Sequence, residues 1–224
     1  MISVDIRRMA YNGAEILRNV RFELADGESL AILGPSGIGK TTLLRIVAGS
    51  ISKYEGEIRG VRRLAMVFQE PTLLPWRSAI DNLTLTTEAS PQEAQSVLEE
   101  VGLGDKGRHF PGQLSLGQQR RLALARAFAA KPELLLLDEP FASLDETTGA
   151  SMIALTQRML GARRISCLLV THAAEEAVAL ANRALVMAGR PGTIVGEYRI
   201  DEKPGEPKAD AAQGLRKVLA KTAG

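Results

Sequence analysis

Gly34, Pro35, Ser36, Gly37, Ile38, Gly39, Lys40, Thr41 and Thr42 follow the spacing of one glycine, four further residues, then glycine, lysine and threonine. That spacing suits phosphate chemistry. Glycines let the backbone bend with its N–H groups turned inward, Lys40 carries charge to the outer phosphates of a nucleotide, and the Thr41 hydroxyl can ligate Mg²⁺. A second chemical group lies at residues 134–140, four leucines followed by Asp138, Glu139 and Pro140. Asp138, at the acidic end of a buried strand, can hold Mg²⁺ through water. Glu139, facing the outermost phosphate, can orient or deprotonate the attacking water, so hydrolysis and not only binding is implied. A third stretch, residues 113–127, passes from small and amide-bearing residues into an arginine-studded helix. Helix starts present unpaired N–H groups and a positive dipole end, which makes this a second possible phosphate site. Two such starts in one chain need a reason.

These groups require a frame. The run over residues 29–33 reads as a strand entering the glycine-rich loop, and a helix begins near Lys40 and closes on Gly49. Residues 1–33 as a whole alternate as strands, with turn signals at Asn12-Gly13 and Asp26-Gly27. Strands over 56–60 and 64–69 follow. Residues 71–131 are mostly helical in pattern, with Pro91 placed for a helix start and the last helix stopped before Pro132. From residue 133 to residue 189, strand and helix alternate in the manner of a parallel sheet with crossovers. The expectation is an α/β fold over residues 1–224 as one domain. Its core, with an N-terminal antiparallel β subdomain, takes about 1–70 and 132–200, and an inserted helical subdomain takes about 71–131. A tail over about 201–224 starts with linker chemistry and ends in an amphipathic pattern.

Composition narrows the classes. The chain has 224 residues, 45% hydrophobic and 24% charged, with a net charge of +2, so nothing in the balance argues for nucleic acid. A lone Cys167 excludes an internal disulfide framework, and its apolar surroundings predict a buried, inert thiol. The longest apolar runs, at 134–137 and 167–170, fall far short of the roughly 20 residues that cross a bilayer. With no signal-peptide pattern at the N-terminus, a cytoplasmic, soluble protein is expected.

The phosphate loop, Phe68-Gln69-Glu70, Leu114-Ser115-Leu116-Gly117-Gln118, the leucine run ending in Asp138-Glu139-Pro140, Ser143-Leu144-Asp145 and Thr171-His172 occur in this order. In this the chain resembles the ATP-binding subunits of ABC transporters along nearly its whole length. The resemblance implies a P-loop NTPase core with the ABC ATPase fold, in which two chains, head to tail, enclose two ATP molecules. It also gives the second helix start its reason. Ser115 and Gly117 would contact the γ-phosphate held by the partner, with Gln118 supporting the loop. Leu116 departs from the family pattern, where glycine is usual, and would strain the backbone if positive φ were required. Gln69 matches a ligand near Mg²⁺ at the hinge to the helical insertion. Asp145 matches a loop crossing the dimer interface, His172 a sensor of the γ-phosphate, and Tyr11 an aromatic residue stacked on adenine. The pair Arg120 and Arg121 reads as a solvated or interface face of the helix that follows.

Residues 71–83 put Trp76 where the family docks its transmembrane permease subunits. The resemblance thus implies a homodimer in the ATP-bound state, held peripherally through permease subunits at the cytoplasmic face of the inner membrane. An extracytoplasmic solute-binding protein belongs to the same system, and no nucleic acid does. Leu73-Leu74-Pro75-Trp76 and residues 190–198 look like the nitrate, sulfonate and taurine importer branch. Two other classes compete: a soluble ABC ATPase of DNA repair, chromosome handling or translation, the first two disfavoured by a short, cysteine-free insertion and the last by a single such unit in the sequence, and an ATP-binding subunit without turnover, for which only Leu116 speaks.

Overall fold

Asn12 and Gly13 both adopt positive φ, 49° and 83°, and reverse the chain between β1 (Ile2–Tyr11) and β2 (Ala14–Leu24). Turns of this hand match the twist of an antiparallel pair. Val4 lies opposite Phe22 and Ile6 opposite Val20, so the alternation of the sequence becomes one buried face. The structure, a computed structural model, describes residues 1–200 and 208–222. Two units are formed, Met1–Arg62 with Arg164–Gly224 and Arg63–Arg163.

After β2 the first unit continues with β3 (Ser29–Leu33), α1 (Lys40–Val47) and β4 (Glu55–Arg59). The second unit holds β5 (Leu64–Val67), α2 (Ala79–Thr84), α3 (Pro91–Glu100), α4 (Leu116–Ala129), β6 (Leu134–Asp138) and α5 (Glu146–Arg163). The chain returns to the first unit with β7 (Ser166–Thr171), α6 (Ala174–Leu180), β8 (Arg183–Ala188), β9 (Thr193–Arg199) and α7 (Lys208–Thr222).

In the first unit β4 pairs antiparallel with β1 on the side away from β2. A second set of strands centres on β3, which pairs in parallel with β7 on one side and β8 on the other. Leu30, Ala31, Ile32 and Leu33 are wholly buried there, as expected of a strand covered on both faces. The strand β9 lies antiparallel on β8 and extends the sheet beyond the alternation read from the sequence. Its half-exposed pattern and Gly196 gave no continuous apolar run to read. The amphipathic end of the tail is α7, which buries Leu215 and pairs Arg216 with Glu175 of α6. The linker part expected at 201–207 lies outside the described residues.

In the second unit β5 and β6 pair in parallel, and every residue of β6 is buried. Ser90 caps α3 with a reciprocal bond from Glu93, and Pro91 opens the helix as its spacing predicts. Arg120 and Arg121 are a correction. Instead of forming a solvated face, Arg120 is 8% exposed and donates from Nη1 to the Pro140 carbonyl at 3.3 Å. Arg121 donates to the Val101 carbonyl at 3.2 Å and to Ser151 Oγ at 2.9 Å. These long side chains serve as internal ties, a role that charge pattern alone does not reveal.

Candidate functional site

The first unit carries the phosphate loop, Tyr11 and His172. The loop joins the buried end of β3 to α1, and two glycines in it are forced by space. A Cβ at Gly34 would stand 2.7 Å from the Met187 carbonyl oxygen, and Gly39, at φ 105°, would drive one to 2.7 Å from Leu17 Cδ2. Gly39 is also the N-cap of α1, with no side-chain cap and no acidic residue in the first turn. The helix therefore offers its N–H groups and positive end to an anion. Lys40 is 4% exposed and folds over the loop, Nζ donating to the carbonyls of Gly34 at 2.8 Å and Pro35 at 3.0 Å. Thr41 and Thr42 follow it, half-buried in the first turn.

Tyr11 ends β1 and is 65% exposed, so its ring is open for stacking. His172 is exposed just past the end of β7. Thr171 fixes the turn that carries it, its hydroxyl donating to Glu176 and accepting from the Ala173 N–H at 3.0 Å.

The second unit carries Gln69, the stretch from Ser115 to Gln118, Asp138, Glu139 and Asp145. Gln69 is exposed beyond the end of β5. Asp138 ends β6 at 5% exposure, and Glu139 follows at φ 45°, a left-handed conformation rare for a residue with a side chain. Ser143, at φ 61°, is a second such residue in the same turn. Strain of this kind persists only where the surroundings hold it, and it gathers at functional turns.

Ser115 caps α4, its hydroxyl accepting from Gln118 N at 3.3 Å while Gln118 Oε1 accepts from Ser115 N at 2.9 Å. Leu116 is the first helical residue and takes an ordinary backbone. A Cβ at Gly117 would lie 3.3 Å from Thr148 Cγ2, and Thr148 N donates to Asp145 at 2.9 Å. The structure thus brings Gly117 and Asp145 to one residue, Thr148. Those bonds hold the Asp145 carboxyl below its usual pKa, with the backbone bond from Thr148 the largest cause. Cys167, by contrast, is fully buried and pushed up to about 12 by desolvation, an inert thiol.

Two residues that order the segment after Gln69 escaped the sequence reading. Asn82 is fully buried and accepts from Leu74 N at 2.8 Å while its amide donates to the carbonyls of Leu74, Arg77 and Ser78. Arg126 donates to the Thr72 carbonyl at 2.6 Å and to its hydroxyl at 3.0 Å. Between these anchors Trp76 is held out at 68% exposure. An asparagine in a helical pattern signals no such role by itself, since its bonds go to the turn just before its own helix, whose shape the periodicity does not record.

Of the metal ligands that the family resemblance implies, the first unit carries the Thr41 hydroxyl and the second the Gln69 amide oxygen and the Asp138 carboxylate. Hard oxygen ligands with a single carboxylate fit an ion that keeps water and shares phosphate oxygens, as Mg²⁺ does. Among the described residues there is no group of three or more His, Cys, Asp and Glu that could hold a metal by itself. Nor is any described helix long and apolar enough to cross a membrane.

Comparison with known proteins gives the family. A family profile described as ABC transporter matches residues 17–142, more than half of the chain. The chain is 40% identical over 229 residues to aliphatic sulfonates import ATP-binding protein SsuB 1 of Paracoccus denitrificans, covering 99% of this chain and 94% of that protein. It is 41% identical to the protein of the same name in Xanthomonas axonopodis pv. citri, over 89% of this chain and 86% of the relative. Among solved structures it is similar to an ATP-binding cassette seen as a dimer in a post-hydrolysis state with ADP and Pi. That likeness has a TM-score of 0.76 and 26% identity, covering 90% of this chain and all of the other. The chain thus belongs to the ABC transporter family as an ATP-binding ATPase subunit with the ABC ATPase fold.

Proposed function

We propose that this ATPase energises import of an aliphatic sulfonate or a chemically similar small solute. One observation carries the cargo class: relatives named for aliphatic sulfonate import match the chain at 40% identity over 99% of its length. Two copies close on ATP, each Ser115-to-Gln118 helix start meeting the γ-phosphate bound by the other copy. The solved dimeric cassette bound to ADP and Pi supports that assembly. Closure is favoured because ATP contacts both faces, giving it differential affinity for the closed state. Exposed Trp76, held by Asn82 and Arg126, docks the permease subunits at the cytoplasmic face of the membrane, and an extracytoplasmic binding protein delivers the solute.

Within each site the loop from Gly34 to Thr42 cradles the phosphates, and Lys40 neutralises the outer ones. Mg²⁺, held by Thr41, Gln69 and Asp138, would supply charge neutralisation between the phosphates. Glu139 holds the attacking water and takes its proton as the oxygen bonds to the γ-phosphorus and the bond from that phosphorus to the β–γ bridging oxygen breaks, so that ADP leaves. His172 and Asp145 report and brace the γ-phosphate, and Tyr11 stacks on the base. The test is uptake by the chain assembled with its permease and binding protein in vesicles. Labelled taurine or an alkanesulfonate is expected to accumulate with ATP and to stop accumulating in Glu139→Gln. Uptake of nitrate with sulfonates excluded would overturn the cargo class, and undiminished uptake by Glu139→Gln would overturn the role of that carboxylate.

A further inference from the structure

Arg120 is the one charged residue of α4 that turns wholly inward, and nothing in the mechanism above uses it. Its neighbours are apolar: Phe68, Pro71, Phe141 and Met152 line the same cavity, whose volume of ≈ 10 Å³ leaves room for at most one water. The Nη1 to Pro140 bond orients the guanidinium, while the buried Nε meets no acceptor. Burial pushes its pKa down, with no carboxylate contributing an opposite shift. A buried cation with so little compensation is a poor source of stability, since apolar side chains of similar volume often serve as well or better. Geometry is what it supplies.

The carbonyl that Arg120 grips belongs to the residue after Glu139. That turn is bent twice into left-handed backbone, at Glu139 and at Ser143, and Ala142 N donates back to the Glu139 carbonyl at 3.2 Å. Such a turn reverts toward ordinary backbone unless something over-determines it. We propose that Arg120 is a positioning residue that ties the signature helix to the Glu139–Pro140 turn and thereby sets the direction of the Glu139 carboxylate. Arg120 follows the Ser115–Gln118 cap by two residues, so a displacement of the start of α4 reaches the catalytic turn through one hydrogen bond. In this way the helix that meets the partner's nucleotide adjusts the base acting on the chain's own. The inference rests on the reading of Glu139 as the base.

The experiment compares steady-state ATP turnover and thermal unfolding of the full-length chain as wild type, Arg120→Met, Arg120→Lys, Glu139→Gln and the double variant. Arg120→Met is expected to lower kcat about tenfold or more with KM for ATP within about twofold, since misplacing a reacting group acts on the chemical step. Its melting temperature should hold or rise, which a merely structural tie would not allow. Arg120→Lys, with a donor still able to reach Pro140, should recover part of the rate. The double variant should be no slower than Glu139→Gln, because both changes act on one group. An unchanged kcat in Arg120→Met beside an inactive Glu139→Gln overturns the tie alone. A loss of kcat together with lower melting temperature and raised KM overturns it in favour of a packing role. Full turnover by Glu139→Gln overturns the base assignment, and the tie with it.

Discussion

Leu116 stands where the family resemblance leads one to expect glycine, and its consequence depends on backbone rather than on bulk. It opens α4 with helical geometry, after Ser115 at φ −62° and ψ 160°, and is 51% exposed. No left-handed conformation is demanded there, so the branched side chain strains nothing. Leu116→Gly should therefore gain no function and should lower stability by up to about 1 kcal/mol, the usual cost of glycine in a helix. For a chain of this size that is a fall of about 2–4 °C in melting temperature, read by calorimetry with and without ATP. A rise in ATP-driven dimerisation in Leu116→Gly would show that side-chain bulk, and not backbone, limits closure. Strain is real instead at Glu139, beyond the end of β6, which sits at φ 45°. The same argument that clears Leu116 thus points to Glu139.

At the scale of elements, the helices of the second unit add caps and cross-ties to the apolar side chains that they bury, such as Leu98 of α3 and Leu122 and Phe128 of α4. Glu93 is the clearest case. Its carboxylate accepts from the Ser90 backbone at the start of α3 and pairs with Lys131 beyond the end of α4. The Lys131 bond first, then those from Ser90, pull its pKa from 4.5 to about 2. A depressed folded pKa means that the ionised form is bound more tightly in the native state. Its stabilisation is fully present above about pH 4.5 and disappears as the pH falls through about 2. Melting temperature measured across that window should fall less steeply in Glu93→Gln than in the wild type, and parallel curves would show that the pair contributes nothing. Because Glu93 is exposed, the effect should also shrink in high salt.

For the whole molecule the question is assembly. Functional groups are divided between two units of one chain, and on the proposed reading Ser115 and Gly117 act on a nucleotide held by another copy. Glu139→Gln should bind ATP without consuming it, and light scattering should find a dimer with ATP and a monomer without. A monomer in both conditions, with ATP bound, would mean that closure waits for the permease. Trp76, at 68% exposure between the anchors Asn82 and Arg126, is the feature best placed to carry such closure outward.

What the sequence determined by itself was whatever depends on local spacing. The strand, glycine loop and helix around Lys40, the acidic end of the leucine strand and the helix starts at Pro91 and within residues 113–127 are set by neighbours within a few residues, so periodicity and turn chemistry reveal them. The ordered motifs then sufficed for family and fold. Tertiary structure alone decided where long side chains find partners. Arg120 reaches Pro140 and Arg126 reaches Thr72, 20 and 54 residues away in the chain and brought near by folding. It also decided β9, whose residues become a strand because β8 offers an open edge rather than because their own pattern requires one. Local spacing records backbone preference, but a buried donor is committed to whichever acceptor the packed chain brings within reach.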